Sequence, residues 1–93
     1  MLTKEDKDIL CQKLAELLPS LRKMMGLTQQ KLGDKCGFSR IRVSHIENSI
    51  EKMSWLQFMS IMYVCSFNAH AVSFLRMNEI ITEATEDYFS RNT

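Results

Sequence analysis

The chain has 93 residues, 12 Lys and Arg against 11 Asp and Glu, 45% apolar residues, one proline and three cysteines, a composition that fits a single domain spanning residues 1–93, with a small core built from well-packed helices and short connections. No stretch approaches the roughly 18 apolar residues of a membrane span, and the opening MLTKEDKDIL puts charges where a secretion signal needs an apolar run, so a cytoplasmic protein with no membrane partner is expected. Cys11, Cys36 and Cys65 are odd in number and widely spaced, and His45 and His70 complete no zinc pattern with them; they read as core thiols, with no metal site.

Leu10, Leu14, Leu17, Leu21 and Met24 recur at alternating steps of four and three, which predicts the apolar seam of a first helix from about Lys4 to Met25. Pro19 lies inside it. Its ring removes a backbone donor and clashes one turn back, so either a kink or a short break with Pro19 opening a new helix is expected there. Gly26 stops the helix. Thr28 is the candidate N-cap of a second helix over Gln29 to Cys36, with Leu27 as the apolar residue before it and Leu32 and Cys36 facing inward. Gly37 ends that helix, Phe38 plugs the turn, and Ser39 caps a third helix to about Asn48, with Val43, Ile46 and Glu47 on one face and Arg40, Ile41, Ser44 and His45 on the other. Ser54 with Gln57 three residues on predicts a capping box for a fourth helix to about Cys65. This helix is apolar almost all round, so it should be buried on more than one side. Asn68 caps a fifth helix through roughly Glu86, whose Ala71, Phe74, Leu75, Ile81 and Ala84 supply a cover, with Tyr88 and Phe89 extending it; Arg91 to Thr93 should fray.

The near-neutral total hides an asymmetry. From Ser20 to Met53 seven basic residues stand against three acidic ones, a local excess of +4 that leaves −3 for the remainder. A basic middle between acidic flanks suits a protein with one face against a polyanion. A short helix, a glycine-containing turn and a second helix with a polar outer face is also the arrangement that lets one helix enter a DNA major groove while the other crosses the backbone. The residues LRKMMGLTQQKLGDKCGFSRIRVSHIEN, Leu21 to Asn48, resemble the helix-turn-helix core of the lambda-repressor and Cro-like family, the xenobiotic response element regulators. EKMSWLQFMSIM resembles a subset of these regulators in which Met-Ser-Trp opens the fourth helix.

The resemblance implies an all-α fold: a five-helix lambda-repressor-like DNA-binding domain with an extended N-terminal helix and a C-terminal helix, core 20–66 and helix-turn-helix 28–48. It implies a structural ion pair between Arg22 and Glu47, tolerable when largely buried only because each satisfies the other. It also implies Thr28 and Gln29 as phosphate clamps at the start of the second helix, and Ser39, Arg40, Ile41, Ser44 and His45 as groove-entering positions. Arg40 suits the O6 and N7 edge of guanine, Ile41 a thymine methyl, and Arg42, on the flank, a phosphate. Two positions depart from the family pattern. Gly33 stands where alanine is usual, and Ser49 where glycine commonly follows Asn48.

No nucleophile with a base, paired carboxylates or phosphate loop is present, so no enzyme and no cofactor is expected. The function expected is a sequence-specific, repressor-like transcriptional regulator of double-stranded DNA, acting as a homodimer through its fourth and fifth helices; no small-molecule effector is evident. The alternative is a protein-interaction module on the same fold, such as an antitoxin, working mainly through its apolar C-terminal helices.

Overall fold

The computed structural model describes residues 2–90; the fraying expected of Arg91 to Thr93 lies outside them. Thr3 starts the first helix by a reciprocal exchange. Its hydroxyl accepts from the Asp6 amide at 3.1 Å while its own amide donates to the Asp6 carboxylate at 2.9 Å, satisfying two donors that a helix start leaves without partners. From there α1 (Lys4–Met24) runs unbroken through Pro19, which excludes the break; the ring forfeits one backbone hydrogen bond, and burial of Leu14, Leu18 and Leu21 around it carries the helix across. The buried seam is Leu10, Cys11, Leu14, Leu18 and Leu21. Leu17 is only half-buried and Met24 is exposed, contrary to the expected stripe. At 3.6 residues per turn Leu18 and Met25 rotate into the inner positions instead.

Next come α2 (Gln29–Cys36) and α3 (Arg40–Glu47), capped by the Thr28 and Ser39 hydroxyls, which accept from the amides of Lys31 and Arg42. Gly33 sets their closeness. A β-carbon there would lie 2.3 Å from the Phe38 carbonyl oxygen, so a residue that weakens α2 by about 1 kcal/mol in propensity is what lets the turn fold back onto it. The Gly33 carbonyl accepts from the amides of Gly37 and Phe38 at 2.8 and 3.0 Å.

The fourth helix, α4 (Trp55–Cys65), opens on a capping box between Ser54 and Gln57 and packs against α1, α2 and the helix that follows it. Leu32, Val43, Ile46, Phe58 and Ile61 form the centre of the core with the α1 seam. The remaining face of α4 leaves Leu56 and Tyr63 in solvent.

The predicted fifth helix is two helices, α5 (Ala69–Met77) and α6 (Glu83–Ser90), which makes six helices among the described residues. Asn78 ends α5, its side chain donating to the Phe74 carbonyl at 2.8 Å, and Glu79 then takes a left-handed φ of 60°. Ile80, absent from the expected core, is fully buried. Thr82 and Thr85 restart the helix: the Thr85 hydroxyl accepts from the Thr82 amide at 2.7 Å and donates to the Ile80 carbonyl at 3.0 Å. Ala84, expected in the cover, is exposed because α6 begins with a new phase after the turn. An aromatic cluster holds α6 in place. Trp55 stacks on Phe58 with ring centres 4.5 Å apart and donates to the Tyr88 hydroxyl at 3.2 Å, while the Lys7 ammonium sits 5.3 Å above the Trp55 ring.

Candidate nucleic-acid interface

Behind α3 lies a polar anchor. Arg22 Nε donates to Glu47 Oε2 at 2.8 Å and a second guanidinium nitrogen donates to Oε1 at 3.1 Å, a fork-on-carboxylate arrangement with side-chain exposures of 13% and 6%. A third bond runs from the guanidinium to the Leu27 carbonyl at 3.1 Å. The Glu47 hydrogen bonds hold the Arg22 guanidinium above its ordinary pKa. Gln29 joins the same network, donating from Nε2 to Glu47 Oε1 at 3.0 Å. The carboxylate therefore ties the end of α1, the start of α2 and the end of α3 together. No acidic residue lies in the first turn of α2 or of α3; the Glu47 carboxylate reaches the start of α2 from α3 through Gln29.

The outward residues of α3 divide into two groups. Arg40 is exposed and makes no ion pair among the described residues, and Ile41 beside it is 57% exposed. Ser39 spends its hydroxyl on the cap. Ser44, half-buried, accepts from the Asn48 side-chain amide at both its carbonyl and, at 3.3 Å, its hydroxyl. Arg42 and His45 are engaged by one carboxylate: Arg42 pairs with Glu51 Oε2, and His45 Nδ1 lies 2.7 Å from Glu51 Oε1. Hydrogen bonding to His45, and then the Arg42 charge, hold the Glu51 carboxyl below its usual pKa. The sequence counted Glu51 only as one of the few acidic residues in a basic stretch, because its position beside α3 depends on the turn that precedes it. Gln29 was likewise expected to face phosphate, whereas its side chain turns inward to Glu47.

Elsewhere, an open groove of about 770 Å³ runs between α4, α5 and α6 past Met59, Met62, Val72, Leu75 and Phe89. Tyr63 stands at its margin and makes an edge-to-face contact with Phe67; the two are 68% and 76% exposed. Burial pushes the Cys11 and Cys36 thiols up to about 11 and that of Cys65 to about 12, so none is a nucleophile near neutral pH. No helix of the described residues is long and apolar enough to cross a membrane.

Neither the curated proteins nor the solved structures include a significant match to the chain. The Helix-turn-helix family model does match, over residues 20–53, the stretch that holds the end of α1, the Arg22–Glu47 anchor, α2, α3 and the turn carrying Glu51. Over that stretch the chain is similar to the helix-turn-helix of the lambda-repressor and Cro-like family.

Proposed function

We propose that the protein is a sequence-specific, repressor-like transcriptional regulator that binds double-stranded DNA with α3 in the major groove. The observation that carries this reading is the pair Arg40 and Ile41, exposed at the start of a helix that is locked from behind by Glu47. A rigid helix presenting one bidentate donor and one apolar contact is suited to a guanine edge next to a thymine methyl. The starts of α2 and α3, with the Thr28 and Ser39 caps and the backbone amide of Gln29, face phosphates; Ser44 and His45 complete the reading face, and Arg42 lies on its flank, paired with Glu51. Its work is binding rather than catalysis, in the cytoplasm, where its DNA lies.

A second copy completes the unit. Leu56, Tyr63 and Phe67 expose apolar surface on and just after α4, and a two-fold dimer through α4 and the α5–α6 segment would set two recognition helices roughly 34 Å apart, one DNA turn. The DNA-binding character of the matched family favours this reading over a protein-only role such as that of an antitoxin.

Selection of bound fragments from random duplex DNA tests both parts. Enrichment of a palindrome is expected, with Arg40→Ala losing about 1–3 kcal/mol of discrimination at one base pair of it. A protein that enriches no motif would sink the reading. Sedimentation of free protein and of its DNA complex reports the dimer, and a 10.8 kDa monomer in both states would exclude it.

A further inference from the structure

The turn after α3 brings an anion onto the face that is read here as the DNA surface. Asn48 donates to the Ser44 carbonyl at 2.8 Å, Ser49 takes a left-handed φ of 60°, and the amides of Ile50 and Glu51 both return to the His45 carbonyl, at 2.8 and 3.2 Å. The chain thereby folds back over the last turn of α3, and the Glu51 side chain is delivered beside positions 42 and 45, which are neighbours on one helix face. Both oxygens are used. One pairs with the Arg42 guanidinium and the other with His45 Nδ1. Glu51, Arg42 and His45 are all partly open to solvent, with side-chain exposures of 34%, 45% and 36%, and exposed pairs of this kind contribute little to stability. Their consequence lies at the surface: two of the donors that α3 offers to a phosphate backbone are already held by a carboxylate, and a phosphate approaching either one meets that carboxylate as well.

The geometry points to Glu51 as a specificity-determining residue: by occupying Arg42 and His45 it withholds them from the phosphate backbone, lowering sequence-independent binding while leaving Arg40 and Ile41 to the bases. The inference rests on the reading of α3 as the recognition helix. Specificity is the ratio of operator affinity to the affinity for any other duplex. Phosphate contacts supply nearly all of the latter, so an internal anion that competes with them raises the ratio without touching a base. The carboxylate, held below its usual pKa by the His45 hydrogen bond, is ionised at neutral pH and available for this competition.

The test compares the full chain with Glu51→Gln, which keeps the side-chain length and one acceptor but removes the charge. Binding to a random-sequence duplex and to the selected operator is measured by fluorescence anisotropy between about 50 and 200 mM salt. Glu51→Gln is expected to bind the random duplex about three- to tenfold more tightly at low salt, with a log–log salt slope steeper by about 1, one additional phosphate contact. The operator-to-random ratio should fall. Adding Arg42→Ala to Glu51→Gln should return the slope to that of the wild type, and Glu83→Gln, which removes the same charge from α6, should leave it unchanged. Equal slopes for wild type and Glu51→Gln, weaker binding by Glu51→Gln, or an equal gain from Glu83→Gln would each overturn the inference. These outcomes leave the DNA reading standing, whereas a wild type and variants that bind no duplex at all would remove both.

Discussion

At the end of α3 the residues Asn48, Ser49 and Ile50 make a turn that Asn78, Glu79 and Ile80 repeat at the end of α5. In both, the asparagine side chain donates to the carbonyl four residues back at 2.8 Å, the next residue sits at φ 60°, and the isoleucine amide returns to the carbonyl five residues back, at 2.8 and 2.9 Å. The two isoleucines then part company. Ile80 is fully buried, and Ile50 is 68% exposed. The following residue differs in the same sense: Ile81 packs against the core, while Glu51 turns back onto Arg42 and His45. One local device thus anchors a helix end in the core and, elsewhere, lays an anion across the outer face of α3. The turn specifies where the chain goes, and the neighbouring elements decide what it meets there.

The end of α3 is tied to the body of the protein by charge, and its removal should have the largest effect. Glu47→Ala strands the Arg22 guanidinium and is expected to cost about 3 kcal/mol or more, read from the denaturant midpoint. Replacing Arg22 and Glu47 together by apolar residues of similar volume should cost less than that single truncation. A midpoint equal to wild type for Glu47→Ala would mean that α3 is held by its apolar face alone.

The end of α5 is tied by packing. Ile80→Ala is expected to cost about 2–5 kcal/mol through the cavity it leaves, and Ile50→Ala no more than about 0.5 kcal/mol. Similar costs at the two positions would show that Ile50 packs in solution, and the contrast between the turns would collapse. Smaller effects test their likeness. Ser49→Gly and Glu79→Gly each relieve a left-handed residue that carries a β-carbon, and after the entropy glycine loses on folding each should gain up to about 1 kcal/mol. Opposite signs would mean that the two backbones differ.

The smallest effect is electrostatic and belongs to the α3 turn. The Glu51 carboxyl is lowered in the folded state, chiefly by its hydrogen bond to His45. Its contribution to stability is therefore present above the ordinary carboxylate pKa and is lost as the pH falls through the lower folded value. The stability difference between wild type and Glu51→Gln should be present above the carboxylate range and vanish in acid, as measured by denaturation at a series of pH values. A difference that persists in acid would assign the role of Glu51 to shape rather than charge.

Most of the fold was legible where the signal is local. Thr28, Ser39, Ser54 and Asn68 each cap the helix that follows, and Gln57 closes the box with Ser54, because a side-chain oxygen has only the next turn's amides within reach. The exposed and buried faces of α3 could also be read from spacing, with Val43 and Ile46 inside and Arg40 and Ile41 outside. The division of the last helix was missed because Asn78 and Glu79 break no periodic rule on their own; Thr82 followed by Thr85 was the available signal for a new helix start.

The sequence by itself determined the caps, the helix-turn-helix segment and the apolar faces, since each depends on residues within a turn or two of one another. Tertiary structure alone decided which of two like turns buries its isoleucine, that α1 crosses Pro19 without breaking, that Gln29 turns to Glu47, and that Glu51 reaches Arg42 and His45. Those outcomes depend on which surfaces lie beside a segment once the helices have packed. No local pattern carries that information, because the same backbone conformation is satisfied equally well against a core or against water.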